Sequence, residues 1–278
     1  MMELLNQILH RATWHWLDQT DPSESGSVIT AFAMDDTLCQ LAGQQQNTGY
    51  ARGWVHQPTV VLGIQDTRLP SIQEGIRFLR DQGYDVIARN SGGLAVVLDE
   101  GVYNLSLIFP EDKGLSIDCG YEQMVSLVRS LFPEAGEGIE AGEIPTSYCP
   151  GRYDLSIGGR KFAGISQRRI RGGIAVQIYL AIAGSGSKRA ELIREFYTLS
   201  AAGGEVKFQY PRIEPEKMAS LVELTGVEYS ADTISSRILT LLRETGDELL
   251  PWTLDDTTRP LFMNHLKRMQ KRNEDITQ

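Results

Sequence analysis

Tyr148-Cys149-Pro150-Gly151-Arg152-Tyr153-Asp154-Leu155-Ser156-Ile157-Gly158-Gly159-Arg160-Lys161-Phe162-Ala163-Gly164-Ile165-Ser166-Gln167-Arg168-Arg169 sets a cysteine among turn residues, twelve positions ahead of a lysine inside a short strand-like run. A cysteine can carry an acyl group as a thioester, and a nearby ammonium favours the thiolate or stabilises the oxyanion formed during attack. The pairing of Cys149 with Lys161 therefore points to acyl-transfer chemistry.

Composition limits the alternatives. With 278 residues and 41% hydrophobic content, the chain has ample material for a conventional core. No run approaches the ~18 apolar residues of a membrane span, and the amino terminus lacks the basic-then-apolar pattern of a signal peptide. A cytoplasmic protein that does not engage membranes is expected. Cys39, Cys119 and Cys149 are odd in number and widely spaced, which suits free thiols better than a disulfide framework. No Cys or His pair has zinc-ligand spacing, so no metal is expected. A net charge of −9 argues against nucleic-acid binding. One local exception runs from Gly158 to Gly173, where Arg160, Lys161, Arg168, Arg169 and Arg171 occur without an acid. Either a solvated strand edge or a landing strip for an acidic partner accounts for it.

Working outward, the pattern predicts an α/β (α+β) fold of mixed sheets packed with helices and a helical carboxyl end. Helical character is expected over Met2 to Asp18 and from Ser25 or Ser27 to Gln45, with Asp35 and Asp36 on its exposed face. Tyr50 to His56 and Thr59 to Leu62 read as a hairpin, and Ser71 to Asp81 as a helix between Pro70 and Gly83. Strands follow at Tyr84 to Arg89, Leu94 to Leu98 and Tyr103 to Phe109, then a helix at Asp118 to Leu131. Beyond a Gly/Glu-rich connector come strands at Tyr153 to Ile157, Lys161 to Gln167 and Ile174 to Ala183. Lys188 to Tyr197, Pro215 to Leu224 and Ala231 to Thr245 read as helices, the last capped by Ser230, and a charged tail begins near Lys267. The expected organisation is a single catalytic domain over 1–278, with a core at about 25–200 and a helical part at about 186–266.

A second constellation precedes the first. Arg89-Asn90-Ser91-Gly92-Gly93-Leu94-Ala95-Val96-Val97-Leu98-Asp99 puts two glycines in a turn between strands. Glycines admit close approach to a ligand, and Arg89 with Asp99 would bracket a polar head group. A plain hairpin turn explains the glycines equally well. Of the remaining thiols, Cys39 sits among apolar helix formers and reads as packed core, and Cys119 near a helix start has no paired base. His56 is the one histidine considered as a base for a Cys-His dyad. Trp14 and Trp16 read as core.

Taken together, the two constellations resemble the lipoate–protein ligase and octanoyltransferase superfamily, over roughly residues 25 to 200. The form Cys149-Pro-Gly-Arg-Tyr-Asp-Leu-Ser-Ile157 with Lys161-Phe-Ala-Gly-Ile-Ser-Gln-Arg-Arg169 is similar to the branch that moves an octanoyl group from the glycine cleavage H protein to other lipoyl domains. The resemblance implies Cys149 as acyl carrier, Lys161 as active-site lysine, and Arg89, Ser91, Gly92, Gly93, Leu94, Ala95 and Asp99 as the acyl-site segment. It implies octanoylated H protein as donor and lipoyl domains of dehydrogenase complexes as acceptors. Where the ligases carry a second arginine, a third turn glycine and a histidine, this chain has Asn90, Leu94 and Leu98. Those changes extend an apolar surface and imply a reaction without ATP or another cofactor.

Exchange between two lysine amides makes and breaks equivalent bonds, so no nucleotide is needed to drive it. Lys161 and nearby backbone N–H groups are expected to stabilise the oxyanion; lowering the thiol pKa or shuttling a proton are equally open roles for Lys161, and the general acid stays unassigned. Leu94, Val96, Leu98 and the Ile174 to Ile182 strand are candidate walls for the alkyl chain, and the Glu134 to Ile144 connector is a candidate cover. An ATP-dependent ligase, an acyl carrier protein as donor, and a non-catalytic lipoyl-domain binding module stay open as alternatives.

Overall fold

The computed structural model describes residues 9–23, 26–111 and 115–277. An eight-stranded mixed sheet uses β1 (Arg11–Gln19), β2 (Thr48–Trp54), β6 (Val102–Pro110), β7 (Ile139–Ala141), β8 (Leu155–Ile157), β9 (Arg160–Ile170), β10 (Gly173–Ala181) and β11 (Gly246–Pro251). Their order is β11-β1-β2-β6-β10-β9-β8-β7. A second sheet holds β3 (Thr59–Leu62), β4 (Asp85–Ala88) and β5 (Val96–Leu98) in the order β4-β3-β5. The α/β expectation with mixed sheets and a helical carboxyl end holds.

Helices cover both sheets. Helix α1 (Val28–Ala42) starts where the Ser27 hydroxyl accepts the Ile29 N–H, and α2 (Ile72–Asp81) follows the first strand of the small sheet. Ser116 caps α3 (Ile117–Leu131), and Ser185 caps α4 (Gly186–Ser200) by accepting the Lys188 N–H. A short α5 (Leu221–Thr225) carries a capping box of Ser220 and Glu223. Helix α6 (Ala231–Thr245) begins at Ser230 as expected, and α7 (Arg259–Thr277) closes the chain. Among the described residues, no helix is long and apolar enough to cross a membrane.

Four expectations are corrected. The helix expected over Met2 to Asp18 is strand β1 from Arg11 onward, with Trp14 and Trp16 buried; residues 2–8 lie outside the described residues, as does Ser25. Tyr50 to His56 and Thr59 to Leu62 form no hairpin, because β2 joins the large sheet and β3 the small one. Pro215 to Leu224 splits into a 3-10 turn at Pro215–Lys217 and α5. The tail expected from Lys267 continues as helix α7, whose Met269 and Ile276 are buried.

Strand register sets up the interior between the sheets. Along β6, Asn104 and Ser106 lie on one face, and their partners on β10 are Tyr179 and Gln177. These in turn face Gly164 and Ser166 on β9. From the small sheet come Val96 and Leu98 of β5, with Val61 of β3 directly opposite Val96.

Candidate active site

The segment from Arg89 to Ala95 is a bridge between strands that are not neighbours. Strand β3 lies between β4 and β5, so the chain crosses the end of β3 instead of turning back on itself, and a simple hairpin is ruled out. Gly63, just past β3, permits the crossing: a Cβ there would collide with the Gly93 carbonyl oxygen. Gly93 takes φ +103°, which L side chains rarely adopt, and a Cβ there would strike the Arg89 guanidinium and sit 3.0 Å from Cys149 Sγ.

This crossing delivers two donors to the thiol. The Leu94 N–H donates to Cys149 Sγ at 3.1 Å, and Arg89 Nη2 donates to it at 3.4 Å. Arg89 is itself steadied by the Leu94 carbonyl, at 2.6 Å from Nη2. Cys149 has φ 45°, a left-handed conformation uncommon for a residue with a side chain. Such a conformation persists only where the surroundings over-determine it.

Lys161 lies at the start of β9 with none of its surface exposed. Its Nζ donates to Asp154 Oδ1 at 2.9 Å, to the Tyr148 carbonyl at 3.0 Å and to the Cys149 carbonyl at 2.8 Å. Asp154 Oδ2 accepts the Gly151 N–H at 3.0 Å and that of Ile144 at 3.5 Å. Burial raises the Asp154 carboxyl above its ordinary range, and Lys161 and these N–H groups oppose that shift. The hydrogen bonds of Lys161 thus go to the Asp154 carboxylate and to the backbone carbonyls around the thiol, and among the described residues none runs to the sulfur.

A cavity of about 260 Å³ opens beside Cys149. Val61, Val96 and Leu98 of the small sheet and Phe32 of α1 supply its apolar side, and Trp54, Asn104, Ser106, Gln177 and Tyr179 line it from the large sheet. The β10 wall is thus more polar than expected: of its residues Gln177, Ile178 and Tyr179 line the cavity, while Ile174 and Leu180 join the core on the α3 side. The polar end is tied down: Ser106 Oγ and Gln177 Nε2 donate to Asp35 Oδ2 at 2.8 and 2.6 Å, and Arg52 donates to Asp35 Oδ1 at 2.8 Å. Burial lifts the Tyr148 and Tyr179 phenols, keeping both neutral around neutral pH.

Of the residues singled out in the sequence, Cys149, Arg89, Ser91, Gly92 and Gly93 line this cavity. Leu94 contributes its backbone N–H, and its side chain is not among the lining groups. The Ala95 N–H reaches the Tyr197 hydroxyl at 3.4 Å. Asp99 is not among the residues lining the cavity; it forms a paired salt bridge with Arg189, both oxygens at 2.7 Å. Asp35 and Asp36 are buried, not exposed, and Asp36 pairs with Arg168 and accepts Asn90 Nδ2 at 2.9 Å. Three cations of the basic strip are taken up in separate ion pairs: Lys161 on Asp154, Arg168 on Asp36 and Arg169 on Glu111, the last at 2.9 Å.

His56 is buried against Gln57 and Thr59 and does not line the cavity, which removes the Cys-His dyad. Cys39 is packed core, where burial pushes its thiol well above the usual range, and Cys119 is half-buried on α3. The Glu134 to Ile144 connector, expected as a cover, forms a 3-10 turn and edge strand β7, with Glu134 paired to Arg237. Asp154 and Trp54 were missed as site residues, whereas Tyr179 lies in the strand expected as a wall. Asp154 alone had a signal, lying in the quoted stretch between Cys149 and Lys161.

The fold is shared with known structures. A lipoate-protein ligase A bound with ATP superposes with a TM-score of 0.68 at 16% identity, covering 93% of this chain and 95% of that one. A bipartite lipoate protein ligase from Thermoplasma acidophilum gives a TM-score of 0.65 at 17% identity, covering 93% of each chain. Much nearer in sequence is the Octanoyl-[GcvH]:protein N-octanoyltransferase of Lysinibacillus sphaericus, 52% identical over 97% of both chains. The Lipoyl-[GcvH]:protein N-lipoyltransferase of Listeria monocytogenes is 46% identical over 99% of both. Residues 27–243 match the lipoyl protein ligase A/B catalytic domain, and the chain belongs to that family.

Proposed function

We propose that this protein is an acyltransferase that moves an octanoyl group from the lysine of octanoylated glycine cleavage H protein to the lysine of lipoyl domains in dehydrogenase complexes, through a thioester on Cys149. The observation that carries the reading is the sulfur at the edge of a largely apolar cavity, held by the Leu94 N–H and the Arg89 guanidinium. The names of the Lysinibacillus and Listeria relatives support the H protein as donor. The three free thiols suit the reducing cytoplasm in which we place the reaction.

The Cys149 thiolate adds to the donor amide carbonyl, and charge develops on the carbonyl oxygen. The C–N bond then breaks, the departing lysine takes up the proton lost by the thiol, and the acyl group stays on sulfur. The acceptor amine attacks the thioester, the C–S bond breaks, and the proton given up by the amine as the amide forms replaces the one taken by the first lysine, so thiol is regenerated. An amide is consumed and an amide is made, so no nucleotide enters the balance. Burying the alkyl chain stabilises the complex by ~0.8 kcal/mol per methylene before ordering costs.

The test is intact mass of the protein after incubation with octanoylated H protein and no nucleotide. A hydroxylamine-labile octanoyl adduct is expected on the unmodified chain, and none on Cys149→Ala. Transfer that requires ATP and survives Cys149→Ala would instead identify a ligase.

A further inference from the structure

Resting on the reading of Cys149 as acyl carrier, we propose that Lys161 is a positioning residue, which acts with Asp154 as a buried strut that aims the thiol, and that the groups meeting the reacting atoms are Arg89 and the Leu94 N–H. An ammonium has three N–H donors and no more. Here Asp154 Oδ1, the Tyr148 carbonyl and the Cys149 carbonyl account for all three, at 2.8 to 3.0 Å. None is left for an oxyanion or a leaving amine, and with the side chain fully buried, freeing one would strand a carbonyl or a carboxylate in the interior.

The strut grips the loop from both sides. Lys161 takes the carbonyls of residues 148 and 149, while Asp154 Oδ2 takes the N–H of Gly151, so the residues flanking Cys149 are fixed in opposite senses of the backbone. A left-handed φ of 45° at Cys149 is held between those anchors. That conformation presents Sγ to the Leu94 N–H at 3.1 Å and to Arg89 at 3.4 Å. Donors that already face the sulfur are placed to serve the oxygen that becomes charged once the sulfur has attacked.

The experiment compares two octanoyl donors on wild type, Lys161→Gln, Asp154→Asn and the double variant. Octanoylated H protein presents an amide whose leaving amine must be protonated. p-Nitrophenyl octanoate needs no such proton and reports acylation of Cys149 as a burst of nitrophenolate. A strut predicts that each single variant loses about 30-fold with both donors alike, and that the double variant loses no more than either single one. Full ester reactivity in Lys161→Gln, with amide transfer abolished, would make Lys161 a proton donor and overturn the proposal. So would an Asp154→Asn protein that works normally with both donors. If Lys161→Gln fails to fold because Asp154 is left unpaired, the double variant, which buries no uncompensated charge, supplies the comparison. Wild type that gives the ester burst but accepts nothing from H protein sinks the donor assignment alone, and the ester series still decides the role of Lys161.

Discussion

Beneath the crossing segment, Asp66 is fully buried, and it is the carboxyl in this region whose ionisation is most disturbed. Its Oδ1 accepts the Tyr197 hydroxyl and its Oδ2 the Gly63 N–H, both at 2.8 Å, and Tyr197 in turn meets the Ala95 N–H. Burial outweighs these bonds and lifts the carboxyl from 3.8 to about 6. Between those values the native chain holds a proton that the unfolded chain has released, so stability falls as pH rises through the window and stays low above it. Asp66→Asn should flatten that slope, with a difference on the order of 2 to 3 kcal/mol between about pH 4 and pH 7. Urea midpoints across that range measure it, and parallel curves for the two proteins would reject it. At this scale the sequence was legible for Cys149, whose Pro-Gly neighbours mark a turn. It was not legible for the orientation of Lys161, because the carbonyl oxygens it binds carry no residue-type signature, nor for Asp66, whose side-chain partner Tyr197 comes from a distant segment.

Strand β4 is the edge of the small sheet, and helix α7 substitutes for the missing neighbour strand. Asn273, fully buried, offers its side-chain amide to Ala88 like a strand backbone: Oδ1 accepts the Ala88 N–H at 2.6 Å, and Nδ2 donates to the Ala88 carbonyl at 3.1 Å. One residue later, Arg89 begins the crossing, and Asn90 is held through its carbonyl by Arg168 at 2.9 Å. Asn273→Leu keeps the shape and removes both bonds, so it should lower stability by about 1 to 3 kcal/mol and slow acylation of Cys149 in the protein that remains folded. Thermal melting with the ester burst checks both, and an unchanged burst rate in a destabilised protein would separate α7 from the site. The sequence showed α7 only as charge, because its buried residues are few and widely spaced among Lys and Arg. In β1, the Trp-His-Trp alternation is the period of a strand, and reading it together with the preceding residues concealed it. The β2–β3 link failed for a different reason: a Gln-Pro turn reverses or redirects the chain equally well, and only packing of the small sheet on α1 and α4 decides which.

Two cores meet across the molecule at the cavity, one between the large sheet and α3, the other around the small sheet. Their different characters explain its two-sided lining: Val61, Val96 and Leu98 come from a sheet whose cavity face is aliphatic, and Ser106 and Gln177 from one anchored to the buried Asp35–Arg52 pair. The sequence carries that contrast only in Asn104, Ser106 and Gln177, polar residues inside otherwise apolar strands, whereas β3 and β5 are aliphatic; which strands face each other across a cavity is set by packing and was not legible. An alkyl chain entering from Cys149 has the aliphatic wall as its natural partner, since lying on the polar wall would desolvate Ser106 and Gln177 without replacing water. Val61→Phe should therefore fill the aliphatic side and shorten the chain the protein accepts. Overpacking is expected to take about 1 to 3 kcal/mol from stability, which leaves a folded protein to assay. With p-nitrophenyl esters from butanoyl to decanoyl, each methylene denied its contact lowers kcat/KM about fourfold, the equivalent of ~0.8 kcal/mol. The optimum should move from octanoyl toward hexanoyl or butanoyl, with short esters unaffected. A profile that falls equally for every length would mean the cavity between the sheets does not hold the acyl chain, and the thioester would then have to be accommodated along the protein surface.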